Sequence, residues 1–269
     1  MRVGRRRPEA LKRNSVTFEI ITNSWFWVVA IFAVTISGIS KGGGLSGGAG
    51  GVATPLMAMV ISPAQGAAIM LPILCVMDLT SIQAYLHHWD RRIMRVILPA
   101  GLVGCVVGTL TFRQLNDSWI RVLLGVIALG FLAYNLMPRA LVLKKPSDRH
   151  GYFWATLSGF TSFVAHSGVP PLLVYLLPQK LDKVVFAATC VIFFGAMNYA
   201  KIGPYLWLGL FDTRNLATSL LLIPVGVAST YLGVWLQTRV NTRLFYRIVY
   251  TLLFFTGIKL LYDGLTGLY

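Results

Sequence analysis

Charged residues are scarce in this chain of 269 residues, and acidic residues are the scarcest. Asp, Glu, Lys and Arg together make up 12% of the sequence, whereas 56% is hydrophobic, and 9 acidic residues stand beside 24 basic ones. Globular soluble domains carry about twice that share of charge. Because the charges cluster between long apolar runs, the composition is typical of an all-α polytopic membrane protein embedded in a lipid bilayer.

The net charge of +15 could suggest a nucleic acid partner. The basic residues lie in an N-terminal tail and in short connections, however, and no soluble domain carries them. In a membrane protein such residues act as topology signals. We therefore expect no nucleic acid partner.

Cysteine is rare and catalytic motifs are missing. Cys75, Cys105 and Cys190 lie in apolar stretches without a Cys-x-x-Cys spacing, so we interpret them as packing residues. The sequence contains no acid pair, no HExxH, no nucleophile elbow and no Walker loop ending in Gly-Lys-Ser/Thr. These absences favour a protein that is not an enzyme, and we expect neither a metal nor a cofactor.

Glycine is abundant, and it is concentrated in one stretch. Residues 40–51 read SKGGGLSGGAGG, with seven glycines beside Lys41. Glycine at this density disfavours a helix, and the apolar flanks, Trp25–Ile39 and Val52–Ile61, are each too short to cross a hydrocarbon core about 30 Å thick. We therefore expect one broken membrane helix whose break lines a cavity. The alternative is that the glycines only allow close helix packing.

The composition of this first break predicts an anion site. Thr54 and Pro55 are expected to cap and begin the second half-helix, so that its free N–H groups and positive dipole end face the glycine loop. Lys41 adds a full positive charge there. The predicted anion ligands at the first break are Lys41, Gly42, Gly43, Gly44, Ser46 and Thr54.

A second break is predicted at residues 162–171, where serine, histidine and two prolines replace the glycines and the lysine. Pro170 and Pro171 can begin a helix but cannot continue one. The alternatives are a purely structural role for His166 and snorkelling to the membrane interface for Lys201. The predicted anion ligands of this half are Ser162, His166, Ser167, Asn198 and Lys201.

Asp78 is the only acidic residue well away from the end of a span. An acid inside the membrane is costly, which makes it a functional candidate. Asp78 could carry a proton that couples transport, or it could simply pair with Lys41. Ser81 lies on the same helical face.

An internal repeat predicts the architecture. Pro99 and Gly108 recur as Pro224 and Gly233 at one constant offset. We expect about eight transmembrane helices in two four-helix repeats, the first helix of each being broken. Because four is an even number, the repeats should be parallel. The predicted segments are a cytoplasmic tail (1–24), a first repeat (25–138), a cytoplasmic linker (139–151) and a second repeat (152–269).

The basic residues give an orientation for this arrangement. With the tail inside, the connections 87–95 and 138–151 are also inside and carry most of the loop charge. The positive-inside rule then predicts that both termini are cytoplasmic.

The residues of both breaks resemble the sulfite exporter TauE/SafE family. The stretch SKGGG followed by Val52–Met57 carries the resemblance in the first half, and residues 159–171 and 175–183 carry it in the second. One departure is the second break, which lacks the glycine-rich loop of other branches. The resemblance covers about residues 25–264 and implies a multi-pass transporter of the bacterial inner membrane that exports sulfite or a related organosulfur anion.

The breaks favour alternating access, with one repeat rocking against the other around the anion. An anion channel is the nearest alternative. A membrane-embedded enzyme and a structural membrane subunit are the remaining ones.

Overall fold

The computed structural model describes residues 21, 23–42, 49–136, 146–236 and 242–268. These residues form α-helices and short 3-10 turns and include no strand. The turns are Ala49–Val52 and Leu177–Gln179. The helices are α1 (Ser24–Gly42), α2 (Ala53–Met57), α3 (Pro63–Tyr85), α4 (Arg91–Phe112), α5 (Asp117–Leu136), α6 (Asp148–Ala165), α7 (Val169–Leu176), α8 (Lys183–Trp207), α9 (Thr213–Leu236) and α10 (Thr242–Thr266).

Six of these helices are long and apolar enough to cross a membrane. They are α1, α3, α4, α8, α9 and α10. The expectation of an all-α polytopic membrane protein is confirmed. The other two long helices, α5 and α6, are not among the six.

Side-chain caps fix where the long helices start. Ser62 accepts a hydrogen bond from the N–H of Gln65 at 3.2 Å, and Pro63 follows as the first residue of α3. Asp90 caps α4 and Asp182 caps α8 in the same way, each at 2.8 Å. A cap satisfies N–H groups that have no partner within the helix.

The contacts of α9 show that α3 and α9 run in the same direction. Gln65 donates to Asn215 at 3.1 Å, and one turn further along both helices Ser219 donates to the carbonyl of Ile69 at 2.8 Å. Residue numbers therefore rise together along the two helices. Both helices begin at the same end of the bundle.

The same reasoning makes α1 parallel to α9. Gly38 faces Gly226 and Ser229, and Gly42, one turn later, faces Thr230. Because α1 and α3 are both parallel to α9, they are parallel to each other. We call the end at which α1, α3, α5 and α9 begin face A, and the end at which α4, α6, α8 and α10 begin face B.

The first break therefore reverses the chain. Between α1 and α3 the chain must return to face A, and α2 ends there, where Met57 lies against Gly66. Arg121 of α5 holds this return by donating to the carbonyls of Ala58 at 2.6 Å and Ile61 at 3.5 Å. The expectation that α1 and α2 are two halves of one crossing is wrong.

This reversal changes how the two repeats are related. Tyr199 of α8 donates to the carbonyl of Cys75 of α3 at 3.0 Å, whereas Gly195 lies against Ile82. Rising numbers on α3 thus meet falling numbers on α8, so these corresponding helices are antiparallel. The predicted parallel relation is wrong. Because α1 and α2 together start and end at face A, only α3, α4 and α5 carry the first half from one face to the other, and three is an odd number. The second half therefore begins at the opposite face and is inverted.

The reversal also separates segments that were expected to share a side. The chain enters the bundle at face A with Ser24 and leaves it there with Thr266. The connections that precede α4 and α6 lie at face B. Residues 87–95 therefore lie at the face opposite Ser24, so the expectation that the start of α1 and this connection share a side is wrong. Residues 1–20 of the tail and 138–145 of the linker lie outside the described residues.

Candidate functional site

The first break supplies Lys41 from the last turn of α1. The helix continues through Lys41 to Gly42, three residues beyond its predicted limit. A Cβ atom on Gly42 would lie 1.8 Å from the carbonyl oxygen of Thr230, so Gly42 serves close packing against α9. Gly43, Gly44 and Ser46 lie outside the described residues.

Thr54 does not cap α2. Val52 occupies the cap position without a side-chain bond, and Thr54 is the second residue of the helix, followed by Pro55. The cap prediction fails because residues 49–52 already form a 3-10 turn that leads into α2. The buried Thr54 hydroxyl makes no hydrogen bond with the described residues.

The second break is built around His166. This residue has φ 51° and closes α6 in the left-handed conformation, with its N–H bonded to the carbonyl of Ser162 at 3.0 Å. This bond is that of the αL C-cap motif, and the N–H of Ser167 adds a bond to the carbonyl of Thr161 at 3.3 Å. The predicted start of a half-helix at the prolines is confirmed, since Pro170 and Pro171 follow Val169 in the first turn of α7.

A cavity of about 100 Å³ lies where the two breaks meet α3 and α8. This is room for several waters or one small anion. Five predicted site residues line it, namely Lys41, Asp78, Ser162, His166 and Asn198. The remaining lining residues are Ser37, Ser40, Gly51, Leu74, Ser81, Val169, Ala187, Cys190, Val191 and Phe194.

Lys41, Asp78 and Asn198 form a chain across the cavity wall. The Lys41 ammonium forms an ion pair with one oxygen of Asp78 and also donates to the carbonyl of Leu74 at 3.2 Å. The other oxygen of Asp78 accepts from Asn198 at 2.6 Å. The Lys41 side chain is 19% exposed and that of Asp78 only 1%, so the lysine is the accessible partner.

Lys201 forms a second polar cluster with Ser162 and His166. Its ammonium, which is fully buried, donates to the carbonyl of Ser162 at 3.0 Å, to the Ser162 hydroxyl at 3.2 Å and to Nδ1 of His166 at 2.9 Å. His166 Nε2 lies 3.0 Å from the carbonyl of Ala67. A carbonyl only accepts, so Nε2 carries the proton and Nδ1 accepts from the lysine.

The two breaks also touch each other directly. Ser167 of the second break donates to the carbonyl of Gly51 in the first at 2.7 Å. This bond crosses between the two halves, as do those from His166 to Ala67 and from Asn198 to Asp78. Ser167 joins the breaks and does not line the cavity.

The site carries more positive than negative charge. Lys41 pairs with the one carboxylate, Asp78, and no acid lies within ion-pair distance of Lys201 among the described residues. The described residues also contain no group of three potential metal ligands. An anion is thus the ligand that the electrostatics favour.

Sequence reasoning missed five polar or small residues of the cavity wall: Ser37, Ser40, Gly51, Ala187 and Cys190. Ser37, Ser40 and Lys41 follow a spacing of three and four residues, so they share one helical face. That pattern was available in the sequence. The position of Cys190 follows from packing between distant helices, which no local pattern encodes.

The family comparison agrees with this site. The sequence model of the family described as Sulfite exporter TauE/SafE matches residues 28–260. The chain belongs to the TauE/SafE family. Comparisons with curated proteins and with solved structures gave no match.

The TauE/SafE match extends over both breaks and every residue that lines the cavity. The family is one of membrane transporters, which agrees with the apolar helices of the fold. A cavity between the helices of such a bundle, lined by Lys41, Asp78 and His166, is the natural place for a transported solute.

Proposed function

We propose that this protein exports a small sulfur-containing anion, sulfite or an organosulfonate, across the bacterial inner membrane. The observation that carries the proposal is the convergence of two helix breaks on one cavity that is lined by Lys41 and Asp78, with Lys201 held behind Ser162 and His166 of the cavity wall. A buried cation costs about 2.5–3.5 kcal/mol at membrane depth on the insertion scale. A bound anion offsets that cost.

The accessible charge makes Lys41 the first ligand of the anion. Lys41 would exchange its ion pair with Asp78 for an ion pair with the substrate, and a proton taken up by Asp78 would make that exchange favourable. Asn198 would hold Asp78 in place, while the hydroxyl of Ser162 and the ring of His166 would contact the anion from the opposite wall. Lys201 would act through Ser162 and His166.

Alternating access is the mechanism that an inverted pair of halves supports best. All eight long helices would span the membrane, and the halves would tilt about the cavity so that it opens to one side at a time. The solute would cross without covalent change, so no enzyme activity is needed.

Flux in proteoliposomes tests the proposal. We expect saturable efflux of sulfite or an organosulfonate such as sulfoacetate, accelerated by the same anion on the opposite side, and weaker flux of sulfate, thiosulfate and simple carboxylates. Flux that neither saturates nor exchanges would identify an anion channel instead. Consumption of the anion by detergent-solubilised protein would indicate an enzyme.

The variant Asp78→Asn separates binding from coupling. The amide keeps the size and the bond to Asn198 but removes the charge that competes for Lys41. We expect anion binding at neutral pH to be retained or tightened, up to roughly ten-fold, while acceleration of flux by a pH gradient is lost. Parental pH dependence in the variant would contradict a coupling role for Asp78.

A further inference from the structure

Corresponding residues of α3 and α8 can be paired one by one. Each helix begins directly after a capping residue, and the two helices cross where Asp78 and Asn198 meet, 120 positions apart. The same spacing relates the caps and pairs the tyrosines near the two helix ends. The corresponding pairs are Ser62 with Asp182, Asp78 with Asn198, and Tyr85 with Tyr205.

Tyr205 closes the bundle on the face A side of the cavity. It is fully buried near the end of α8, and its hydroxyl donates to the carbonyl of Phe163 at 2.8 Å. Its ring centroid lies 5.2 Å from that of Phe163 and 5.7 Å from that of Phe211. This aromatic cluster lies directly beyond the second break.

Tyr85 is in a different environment. It is the last residue of α3, at face B, it is partly exposed, and its hydroxyl makes no hydrogen bond with the described residues. The repeat that relates Gly38 to Gly159 also relates Gly42 to Phe163. The counterpart of the Tyr205 bond would therefore join the Tyr85 hydroxyl to the carbonyl of Gly42.

The cavity is displaced in the same sense as the tyrosines. Its lining residues on α3 begin at Leu74 and extend to Ser81, near the face B end. On α8 they extend from Asn198 to Ala187, one turn from the start of the helix at face B. On α3 no lining residue of this cavity precedes Leu74, the middle of the helix, and on α8 Asn198, one turn past the middle, is the lining residue nearest face A.

We propose that Tyr205 and Tyr85 are paired gates, of which Tyr205 closes face A in this structure and Tyr85 closes face B in the opposite state by bonding to Gly42. The inference rests on the proposed transport function. Two inverted halves with the same helices reach the opposite state when each half adopts the conformation of the other. In that exchange Tyr205 loses its burial and its hydrogen bond, and Tyr85 gains both.

The two tyrosines allow one chemical change to be made at both gates. Tyr205→Phe removes a hydrogen bond that only the present state makes, so it should favour the state open to face A. Tyr85→Phe removes a bond that only the opposite state makes, so it should favour the state open to face B. Each change should shift the ratio of the two states by about three- to ten-fold, in opposite directions, which is the usual effect of one hydrogen bond.

Thiol accessibility measures that ratio without any substrate. Leu71→Cys places a thiol one turn from Leu74 toward face A, at a site that is fully buried in this structure. Membrane-impermeant thiol reagents are applied to each side of the full-length protein in oriented vesicles. Native Cys190 in the cavity wall reports access from face B, and size exclusion checks folding.

Labelling of Leu71→Cys from face A should rise with Tyr205→Phe and fall with Tyr85→Phe, while labelling of Cys190 from face B should change in the opposite sense. Shifts of the same sign, or no shift in either variant, would overturn the gate assignment. Because the measurement needs no anion, opposite shifts in a protein that transports none of the tested anions would reject the proposed function and leave the gates standing.

Discussion

Lys41 and Lys201 both lie inside the helix bundle, but their charges are held differently. Lys41 has a carboxylate partner and is partly accessible, whereas Lys201 has only a carbonyl, a hydroxyl and an imidazole nitrogen around it. The repeat places Lys41 opposite Ser162 and Lys201 opposite Ser81. Each half thus contributes one lysine and one serine, but from exchanged helices, so the two walls of the cavity are not equivalent.

The ion pair at Lys41 gives a prediction for stability. Lys41→Met should destabilise the protein by about 3–5 kcal/mol, because Asp78 would keep its charge in a site where it is 1% exposed. The double variant Lys41→Met with Asp78→Asn removes both charges and should recover most of that loss. Thermal unfolding in detergent compares the two variants with the parent protein.

A double variant as unstable as Lys41→Met alone would show that packing of the lysine stem, and not the unpaired carboxylate, holds the site together. Anion binding gives a separate control. The double variant should stay folded yet bind the anion of the parent protein poorly, since the accessible cation is gone.

Individual site residues could be predicted where the sequence marks them as costly. Lysine, aspartate and histidine inside apolar runs stand out, and the structure brings Lys41, Asp78 and His166 to one cavity. Thr54 could not be assigned correctly, because its cap role depended on where α2 begins. That boundary is set by a 3-10 turn that glycine permits but does not specify.

At the level of elements, the glycines of α1 have a packing role. Gly38 and Gly42 are four residues apart and face the backbone of α9, which is the small-xxx-small arrangement of membrane helices. Gly42 therefore makes the close helix contact that the packing interpretation of the glycines predicts. The first break and the close helix contact are adjacent but distinct features.

A pair of glycine substitutions tests this packing. Gly42→Ala should destabilise the protein by about 1–3 kcal/mol, because its Cβ would meet the backbone of Thr230 and force the helices apart. Gly130→Ala on α5 is the matched control, since nothing lies within 4 Å of the added atom. It should stabilise the protein by about 0.5–1 kcal/mol through helix propensity alone.

Thermal unfolding of both variants under one set of conditions gives the comparison. Changes of equal sign and size would mean that helix propensity dominates and that α1 and α9 can separate freely. A loss of anion flux in a stable Gly42→Ala variant would instead support Gly42 as a ligand of the anion.

The direction of α2 could not be predicted from the sequence. A broken helix can continue across the membrane or turn back. Both cases have the same local signals in the sequence, namely apolar flanks, glycine and a helix-starting proline. The return depends on contacts between elements far apart in the chain, such as those of Arg121 with the carbonyls after α2. The sequence pattern predicts two related halves, but it did not predict that α3 and α8 run antiparallel.

For the whole molecule, the inversion redistributes the basic residues between the two faces. By chain position, four lysines and arginines lie toward face A between the helices or in their adjoining turns: Arg113, Arg121, Arg214 and Lys259. Among the described residues, eight lie toward face B: Arg91, Arg92, Arg95, Arg149, Lys180, Lys183, Arg243 and Arg247. The positive-inside rule applies to short connections near the helix ends, so it favours face B as the cytoplasmic side.

This assignment reverses the orientation that the basic tail suggested, since Ser24 and Thr266 both lie at face A. It also gives the cavity a direction. The lining residues extend toward face B, so the cavity of this structure would face the cytoplasm, where an exporter collects its substrate, amid basic residues that attract anions.

Topology mapping distinguishes the inverted arrangement from a parallel one. Gln114→Cys lies in the connection between α4 and α5, and Asn241→Cys lies in the corresponding connection between α9 and α10. A parallel repeat puts the two thiols on one side of the membrane, whereas the observed helix directions put them on opposite sides.

With face B in the cytoplasm, an impermeant thiol reagent should label Gln114→Cys in intact bacterial cells, and should label Asn241→Cys and Lys145→Cys only after the cells are opened. Labelling of Asn241→Cys and Lys145→Cys in intact cells, with Gln114→Cys protected, would still support antiparallel halves but would place face A in the cytoplasm. The cavity would then face the periplasm, and uptake would become the better direction for the proposed transport.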